Sequence, residues 1–441
     1  MKKLLLTTLL ATAVSMANAQ SVAKPNEAIQ TPNVTIQSAP ATPTVARPNE
    51  AIQTPNAPIQ NATVSIYGII DAGFISTNYR GIGVNPNINQ QTSSFGNSAE
   101  TASRLGVKGT EDLGGGRSAF YTFETALNVT QSTLTTWNNR QSFVGIKQNG
   151  LGAVSVGTIY TPLHQMNAQT DPGQLNDMPG NVIFANNPQS NFNATGNAPF
   201  ASASSSGGSG GSYTSRTSNT VNVTSDNFKG FKGMAMYTRN DSSQTTTNTV
   251  TNKVVTTTAG GTNNHSGYGL AASYTWNKLF VTAAYQALKS QNTVLVTTPA
   301  PALWSAADGG TNINDAQRFA AATYDFGILK GYAQWVSRKA ESGLNPNLYS
   351  TRTAQQLGVR GNFTPNIESW ASIGNGNVKT FGAGAPTANF TAFQLGSNYW
   401  LSKRTNLYAI YGQNKTASTS GTLGLPSVSA SGYALGVRTV F

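Results

Sequence analysis

The chain has 441 residues and carries 28 Lys and Arg against 16 Asp and Glu, a formal net charge of +12. Only 10% of residues are charged, far from the roughly 25% of an ordinary soluble domain, while aromatics at 9% argue against a disordered chain. There is no cysteine, which excludes a disulfide framework and any thiolate metal site.

The chain opens with Lys2 and Lys3, an apolar run over 4–14 and Ala17-Asn18-Ala19. That is the layout of a secretory signal peptide cleaved after Ala19, and the run is too short for a membrane helix. Residues 20–62 differ from everything after them. They hold seven prolines and no aromatic residue, and Lys24-Pro-Asn-Glu-Ala-Ile-Gln-Thr-Pro-Asn33 returns as Arg47-Pro-Asn-Glu-Ala-Ile-Gln-Thr-Pro-Asn56. Pro-rich polar sequence builds no core. This stretch is read as a periplasmic extension, either a spacer or a contact for peptidoglycan or a periplasmic protein.

From Thr63 the pattern changes to period two, the signature of strands. Val64, Ile66, Ile70 and Phe74 share one face of the first strand, and Tyr67 and Asp71 share the other. Further strands are predicted at 101–109, 116–128, 139–148, 152–160, 216–226, 231–240, 267–276, 278–288, 316–326, 328–338, 353–363, 366–376, 389–400, 404–414 and 431–441. Short connections alternate with long ones at 77–100, 129–138, 161–215, 241–266, 289–315, 339–352, 377–388 and 415–430. Gly114-Gly115-Gly116 reads as one of the short turns. Sixteen strands with loops sorted in this way predict an all-β fold, a 16-stranded antiparallel transmembrane β-barrel over residues 63–441. Sixteen strands enclose an aqueous lumen, whereas about eight would be filled by side chains.

The last strand is the clearest. Tyr433, Leu435, Val437, Thr439 and Phe441 fall on one face, and Arg438 on the other. One face suits lipid and the other water. Tyr433, Leu435, Val437 and Phe441 make this ending resemble the C-terminal signature strand of outer-membrane β-barrels, which implies the barrel-assembly machinery as a partner.

Val64-Ser-Ile-Tyr-Gly-Ile-Ile-Asp-Ala-Gly73, Ser103-Arg-Leu-Gly-Val-Lys-Gly-Thr-Glu-Asp-Leu-Gly-Gly-Gly116, Asn139-Arg-Gln-Ser-Phe-Val-Gly-Ile-Lys147 and Leu435-Gly-Val-Arg-Thr-Val-Phe441 resemble the trimeric general porins of Gram-negative bacteria. The likeness is to the branch of Neisseria and Burkholderia relatives, and it covers about 63–441. It implies a homotrimer in outer-membrane lipid, passing small ions and hydrophilic solutes, with the third long loop folded inward as a constriction. Independently of the resemblance, 161–215 is much longer than the other loops, and its only charged residues are Asp171 and Asp177. Residues 163–179 are expected to lie in the lumen.

A porin needs a charged passage rather than a reaction, and rings of Arg or Lys favour anions. Arg104 alternates with Leu105 and Val107, so it should face the lumen with Lys108. The resemblance implies a basic wall cluster of Arg104, Arg140 and Arg216, with Asp171 and Asp177 as acids on the inward loop. Arg140 shares parity with Val144 and Ile146, so period two alone leaves its facing open. Asp71, Glu124, Arg360 and Arg438 are lumen candidates by parity. The expected activity is general diffusion with an anion preference. The alternatives are a channel selective for phosphate or another acidic metabolite, and a non-conducting adhesive barrel. No cofactor, metal or nucleic-acid partner is expected. The two histidines, His164 and His265, are not spaced for zinc, and only His164 with Asp171 could contribute to a catalytic triad.

Overall fold

Stretches in which apolar and polar residues alternate become strands here. In the computed structural model they are β1 (Ala62–Ile82), β2 (Ile88–Asn97), β3 (Arg104–Gly114), β4 (Arg117–Ala126), β5 (Asn139–Gln148), β6 (Gly152–Tyr160), β7 (Arg216–Ser225) and β8 (Phe231–Gln244). They continue as β9 (Thr247–Thr251), β10 (Val254–Thr258), β11 (Gly261–Trp276), β12 (Leu279–Asn292), β13 (Thr311–Asp325) and β14 (Lys330–Ser342). The last are β15 (Tyr349–Thr364), β16 (Ile367–Phe381), β17 (Thr387–Trp400), β18 (Thr405–Thr416) and β19 (Ser427–Val440), and one helix, α1 (Pro162–Thr170), follows β6. The structure describes residues 62–82, 88–135, 139–184, 212–244, 247–251, 254–258, 261–292, 311–343, 346–347, 349–381, 387–417 and 427–441. The leader at 1–19, the repeat and the Ser-Gly-rich part of the long loop lie outside the described residues.

From β3 to β8 and from β11 to β19 each strand pairs antiparallel with the next, β8 passes directly to β11, and β9–β10 form a separate hairpin. The ring closes where β19 returns to β1, from Ile69 opposite Val440 to Ile82 opposite Ser427. The other edge of β1 is shared. Its upper part pairs with β2, from Ala72 opposite Asn97, and its lower part with β3, from Ile69 opposite Arg104. β2 and β3 thus occupy one stave, and the barrel has the sixteen staves the sequence predicts.

The strands run further toward the long-loop end than their apolar alternation indicates. β1 continues to Ile82 and pairs with β2 inside the stretch 77–100, where the sequence predicts a loop. Above the hydrocarbon both faces are wet, so backbone pairing continues without an apolar face to reveal it.

The barrel is apolar outside and polar inside. Ile66, Leu105, Val144, Val156, Leu357 and Leu395 are exposed outward, while Gln286, Gln317, Gln356, Gln394, Asn398 and Arg338 are buried inward. The parity expected for β15 and β17 holds, with Leu357 and Val359 out and Gln356 and Arg360 in. At the short-turn end Gly114, Gly115 and Gly116 all take positive φ, which only glycine adopts at low cost in three successive residues. The seam ends on Phe441, whose N–H donates to the Gly68 carbonyl at 3.1 Å, while Gly68 N–H donates to the Phe441 carbonyl at 3.0 Å.

After β6 the chain turns into the lumen. Thr161 caps α1 by accepting from His164 N–H at 3.2 Å, and Pro162 sits in the first turn, where a missing N–H costs nothing. α1 lies against β8 and β11–β14. Leu163, Met166, Val182, Ile183 and Tyr213 join Phe319, Val336 and Phe390 of the wall in an apolar core inside the barrel. Each such side chain buried is worth about 1.5–3 kcal/mol, so this contact, and not hydrogen bonding alone, keeps the loop down.

Inward-facing amides of the wall then fix its course. Gln334 donates to Asn167 Oδ1 at 2.7 Å. Gln356 accepts from Val182 N–H at 3.1 Å. Gln394 donates to the Pro179 carbonyl at 3.0 Å and exchanges bonds with Asn176 at 2.6 and 2.9 Å. Asn414 accepts from Gly180 N–H at 2.7 Å. The lumen-lying part therefore reaches past the expected end at 179, to Phe184, and returns through Ser212–Ser215.

Two consequences can be measured. A Cβ on Gly412 would collide with the Pro179 carbonyl oxygen, so Gly412→Val should lift the loop from β18. Single-channel recording should show a changed conductance, with normal heat-modifiable mobility of the folded barrel on gels. Arg338 holds Asp315 through Nε at 3.0 Å and Nη2 at 2.5 Å, with both side chains fully buried. Asp315→Asn leaves the guanidinium without its countercharge and should lower unfolding stability by about 3–5 kcal/mol in denaturant titrations.

Candidate functional site

The wall facing the docked loop is built by β1 and β3–β7. Arg104 opens β3, Arg140 is the second residue of β5 and Arg216 opens β7. All three side chains gather around Glu124 of β4. Glu124 Oε1 lies 2.8 Å from Arg140 Nε and 3.8 Å from Arg104 Nη1, and its Oε2 accepts from the Tyr67 hydroxyl at 3.0 Å. Arg140 Nη2 also donates to the Tyr160 hydroxyl at 2.8 Å. Arg216 lies 5.8 Å from the centre of the Tyr160 ring. Arg104 Nε is tied to the Ala102 carbonyl at 2.9 Å. The guanidiniums are near enough to act on one another electrostatically.

The facing of Arg140, open in the sequence, is settled by a bulge. Glu124 is opposite Gln141 but Thr125 is opposite Asn139. Arg140 is the extra residue, and a bulge re-aims the side chain it carries. Val144 and Ile146 stay exposed on the outer surface while Arg140 turns inward to Glu124.

The two loop acids part company. Asp177 is near enough to Arg140 to act on it electrostatically, and its N–H donates to the Ala99 carbonyl at 3.1 Å. Asp171 is turned into the loop. It accepts from Leu175 N–H at 2.7 Å, Asn181 Nδ2 at 2.8 Å and Gln356 Nε2 at 3.2 Å, and is buried. Burial pushes its carboxyl above the ordinary range, against these hydrogen bonds. Its geometry is that of a clamp between the loop and β15, away from the arginine cluster.

The other lumen candidates also point inward, each with a neighbour. Lys108 lies 5.4 Å from the centre of the Tyr67 ring. Arg360 is doubly bonded to Glu368 at 2.7 Å and donates to the Pro172 carbonyl at 2.7 Å. Asp71 accepts from Glu100 N–H at 2.8 Å, Thr101 N–H at 2.6 Å and the Tyr408 hydroxyl at 2.6 Å. Arg438 donates to Asn406 Oδ1 at 3.0 Å and lies 3.5 Å from Glu100. Asp71, Glu100 and Arg438 thus hold residues 98–103, the break between β2 and β3, as a second inward turn. Tyr433 and Val437 lie exposed on the outer face.

His164 stacks on Tyr160 at 4.5 Å and its Nδ1 lies 3.2 Å from the Tyr213 hydroxyl. Burial, then the charges of Arg216, Arg140 and Arg104, push its pKa down to about 3. It is a neutral packing group, bonded to Tyr213 rather than to Asp171. Among the described residues no three His, Asp or Glu side chains are placed to hold a metal ion. Sequence reasoning missed Tyr67 and Tyr160, the phenols that brace Glu124 and Arg140, and it missed α1. The Thr161-Pro162 pair was a usable signal for the helix.

A family model for the Gram-negative porin matches residues 6–419. The major outer membrane protein P.IB of Neisseria gonorrhoeae is 34% identical over 122 residues, which are 28% of this chain and 34% of that protein. P.IB of Neisseria meningitidis serogroup B is 34% identical over 115 residues, 26% of this chain and 32% of that protein. The matched stretch thus spans about a third of the length of these curated relatives. Among solved structures, the anion-selective porin from Comamonas acidovorans superposes with a TM-score of 0.61 at 21% identity, covering 86% of this chain and all of that one. OmpT of Vibrio cholerae, solved in trimer form, superposes with a TM-score of 0.54 at 13% identity, covering 87% of this chain and all of that one. Matched by the family model over nearly its whole length, and closed into the same kind of barrel, the chain belongs to the Gram-negative porin family of outer-membrane proteins.

Proposed function

We propose that the protein is a general-diffusion channel, passing ions and small hydrophilic solutes through a water-filled lumen with a preference for anions. The observation that carries this reading is the wall cluster. Arg104, Arg140 and Arg216 converge at the level of the inward loop; among the described residues the carboxylate bonded into them is Glu124, with Asp177 acting from the loop side. Three cations against two carboxylates leave this cluster net positive. Cations lining a passage favour anion entry. The loop narrows the lumen from the β11–β18 side, so a solute must pass along the arginine wall. The Comamonas barrel, described as anion-selective, is a precedent for this fold hosting such a pore. We further infer a homotrimer, with residues 1–19 removed on export and the Pro-rich extension left at the short-turn, periplasmic end where β1 begins. Native mass measurement of the purified protein should give three times the mass of the processed chain.

The zero-current potential of the purified protein in a planar bilayer under a KCl gradient tests the selectivity. Chloride should permeate faster than potassium. Arg104→Ser with Arg140→Ser should shift the potential toward cations, and Glu124→Gln should shift it further toward anions. A cation-selective wild type, or a double mutant with unchanged potential, would overturn the assignment.

A further inference from the structure

Behind the inward loop, across the lumen from the arginine wall, two cations face each other. Arg338 of β14 and Arg352 of β15 are direct cross-strand partners, and both are buried, at 0% and 5% exposed. Their guanidiniums are near enough to act on one another, and like charges directly opposite destabilise a sheet. Arg338 is matched by Asp315. That carboxylate is filled by Arg338 Nε and Nη2 and by Gln317 Nε2 at 2.9 Å. Arg352 has no such partner among the described residues. Its Nη2 donates to the Val182 carbonyl of the loop at 2.8 Å, and its Cζ lies 4.6 Å from the centre of the Phe390 ring. Its Nη1 is buried and meets no acceptor.

This corner therefore holds two guanidiniums for one carboxylate, an excess of one positive charge. An isolated charge taken out of water is far costlier than a buried neutral group, and the surroundings offer little relief. The inner-face neighbours are apolar: Val378 directly opposite Arg352, Ala354 two residues along β15 and Val336 beside Arg338. The loop packed over them brings no acid. Between 161 and 215 the acids are Asp171 and Asp177. Asp171 is held by Leu175, Asn181 and Gln356, and Asp177 lies by Ala99 and Arg140. Outside the described residues, the connections between strands contain one acid, Asp308.

We propose that Arg352, with Arg338 beside it, binds a small monovalent anion of the chloride class, and that this ion fastens the inward loop to β14 and β15. One negative charge balances the excess, and Nη1 is the donor that receives it. A dianion such as phosphate would overcompensate, and the apolar neighbours could not satisfy its further oxygens. The ion acts on the loop through one peptide. Val182 gives its carbonyl to Arg352 and its N–H to Gln356, so a neutralised Arg352 secures both sides of that peptide. The site lies behind the loop on β14 and β15, whereas the wall cluster lies on β1 and β3–β7. The proposal does not rest on the anion preference of the pore, and a cation-selective channel would leave it standing.

Crystals of the purified protein soaked in bromide should show an anomalous peak against Arg352 Nη1, and the peak should vanish in Arg352→Met. In solution at constant ionic strength, replacing gluconate by chloride should raise the denaturant midpoint of the wild-type barrel. Well above half-occupancy the unfolding constant should fall about tenfold for each tenfold rise in chloride. Arg352→Met should have the same midpoint in both salts. Should that variant not fold, Ser350→Asp decides in its place. It sets a carboxylate two residues along the same inner face, and its midpoint should not depend on chloride. A wild-type bromide map without a peak at Arg352, or a chloride dependence that survives in these variants, overturns the proposal. A wild type indifferent to chloride but weakened by Asp308→Asn assigns the countercharge to Asp308 and overturns it as well.

Discussion

Everything in this molecule depends on saturating the backbone. In hydrocarbon an unpaired N–H or C=O costs several kcal/mol, so a sheet can cross a membrane only if it has no edge. Here the ladder closes along the β1–β19 seam, from Ile69 opposite Val440 to Ile82 opposite Ser427, and is finished by two hydrogen bonds between Gly68 and Phe441. Once the ring is closed, period two does the rest. Each residue must serve either lipid or lumen, and a change of one position exchanges the two. Strands of this chain are half polar because their inner face is the lumen.

That inversion explains how the loop is held. A soluble protein would fill its interior with apolar side chains throughout. This barrel fills part of it, with Phe319, Val336 and Phe390 against Leu163, Met166 and Ile183 of the loop. It leaves the remainder to Gln334, Gln356 and Gln394. These amides each have donor and acceptor capacity, and they are placed to satisfy loop backbone groups that a long buried excursion would otherwise strand. Asp171 belongs to the same system. It is a buried acceptor for three donors, and its value lies in orienting the chain rather than in presenting charge to solutes. The fully buried ion pair of Arg338 with Asp315 follows the same logic: a buried charge is tolerable only with its partner and its hydrogen bonds in place.

The barrel was readable in the sequence because alternation survives wherever lipid meets one face and water the other. The sixteen staves follow from alternation together with the sorting of short and long connections, and the outward Tyr433 and Val437 and the inward Arg360 and Arg438 follow from parity. Parity failed where the backbone broke its own period. At Arg140 the extra residue of a bulge turns inward a side chain that strict alternation with Val144 would send to lipid. It also failed above the membrane, where β1 and β2 pair through Thr77, Asn78 and Gln91 with no apolar face to mark them. The role of Asp171 was illegible for a different reason. A carboxylate on a lumen loop looks the same in sequence whether it faces the pore or the protein, and only the approach of Asn181 and Gln356 distinguishes them.

The arginine wall shows why a count of charges is a poor guide to a pore. The chain as a whole is basic, yet charges beyond about 8–10 Å are screened at ordinary salt, so net charge alone says little about a passage. On the proposed reading, what acts on a solute is the arrangement around Glu124. This carboxylate does not simply cancel one guanidinium. Bonded to Arg140 and Tyr67 and close to Arg104, it holds like charges together that would otherwise repel and splay apart. The wall is therefore a rigid patch with an embedded countercharge. Arg140 is braced between Glu124 and the Tyr160 hydroxyl, and Arg216 lies against the same Tyr160 ring. The bonds to Glu124 and Tyr160 fix where the Arg140 charge sits. Tyr67 and Tyr160 thus belong to this charged cluster as much as the arginines do.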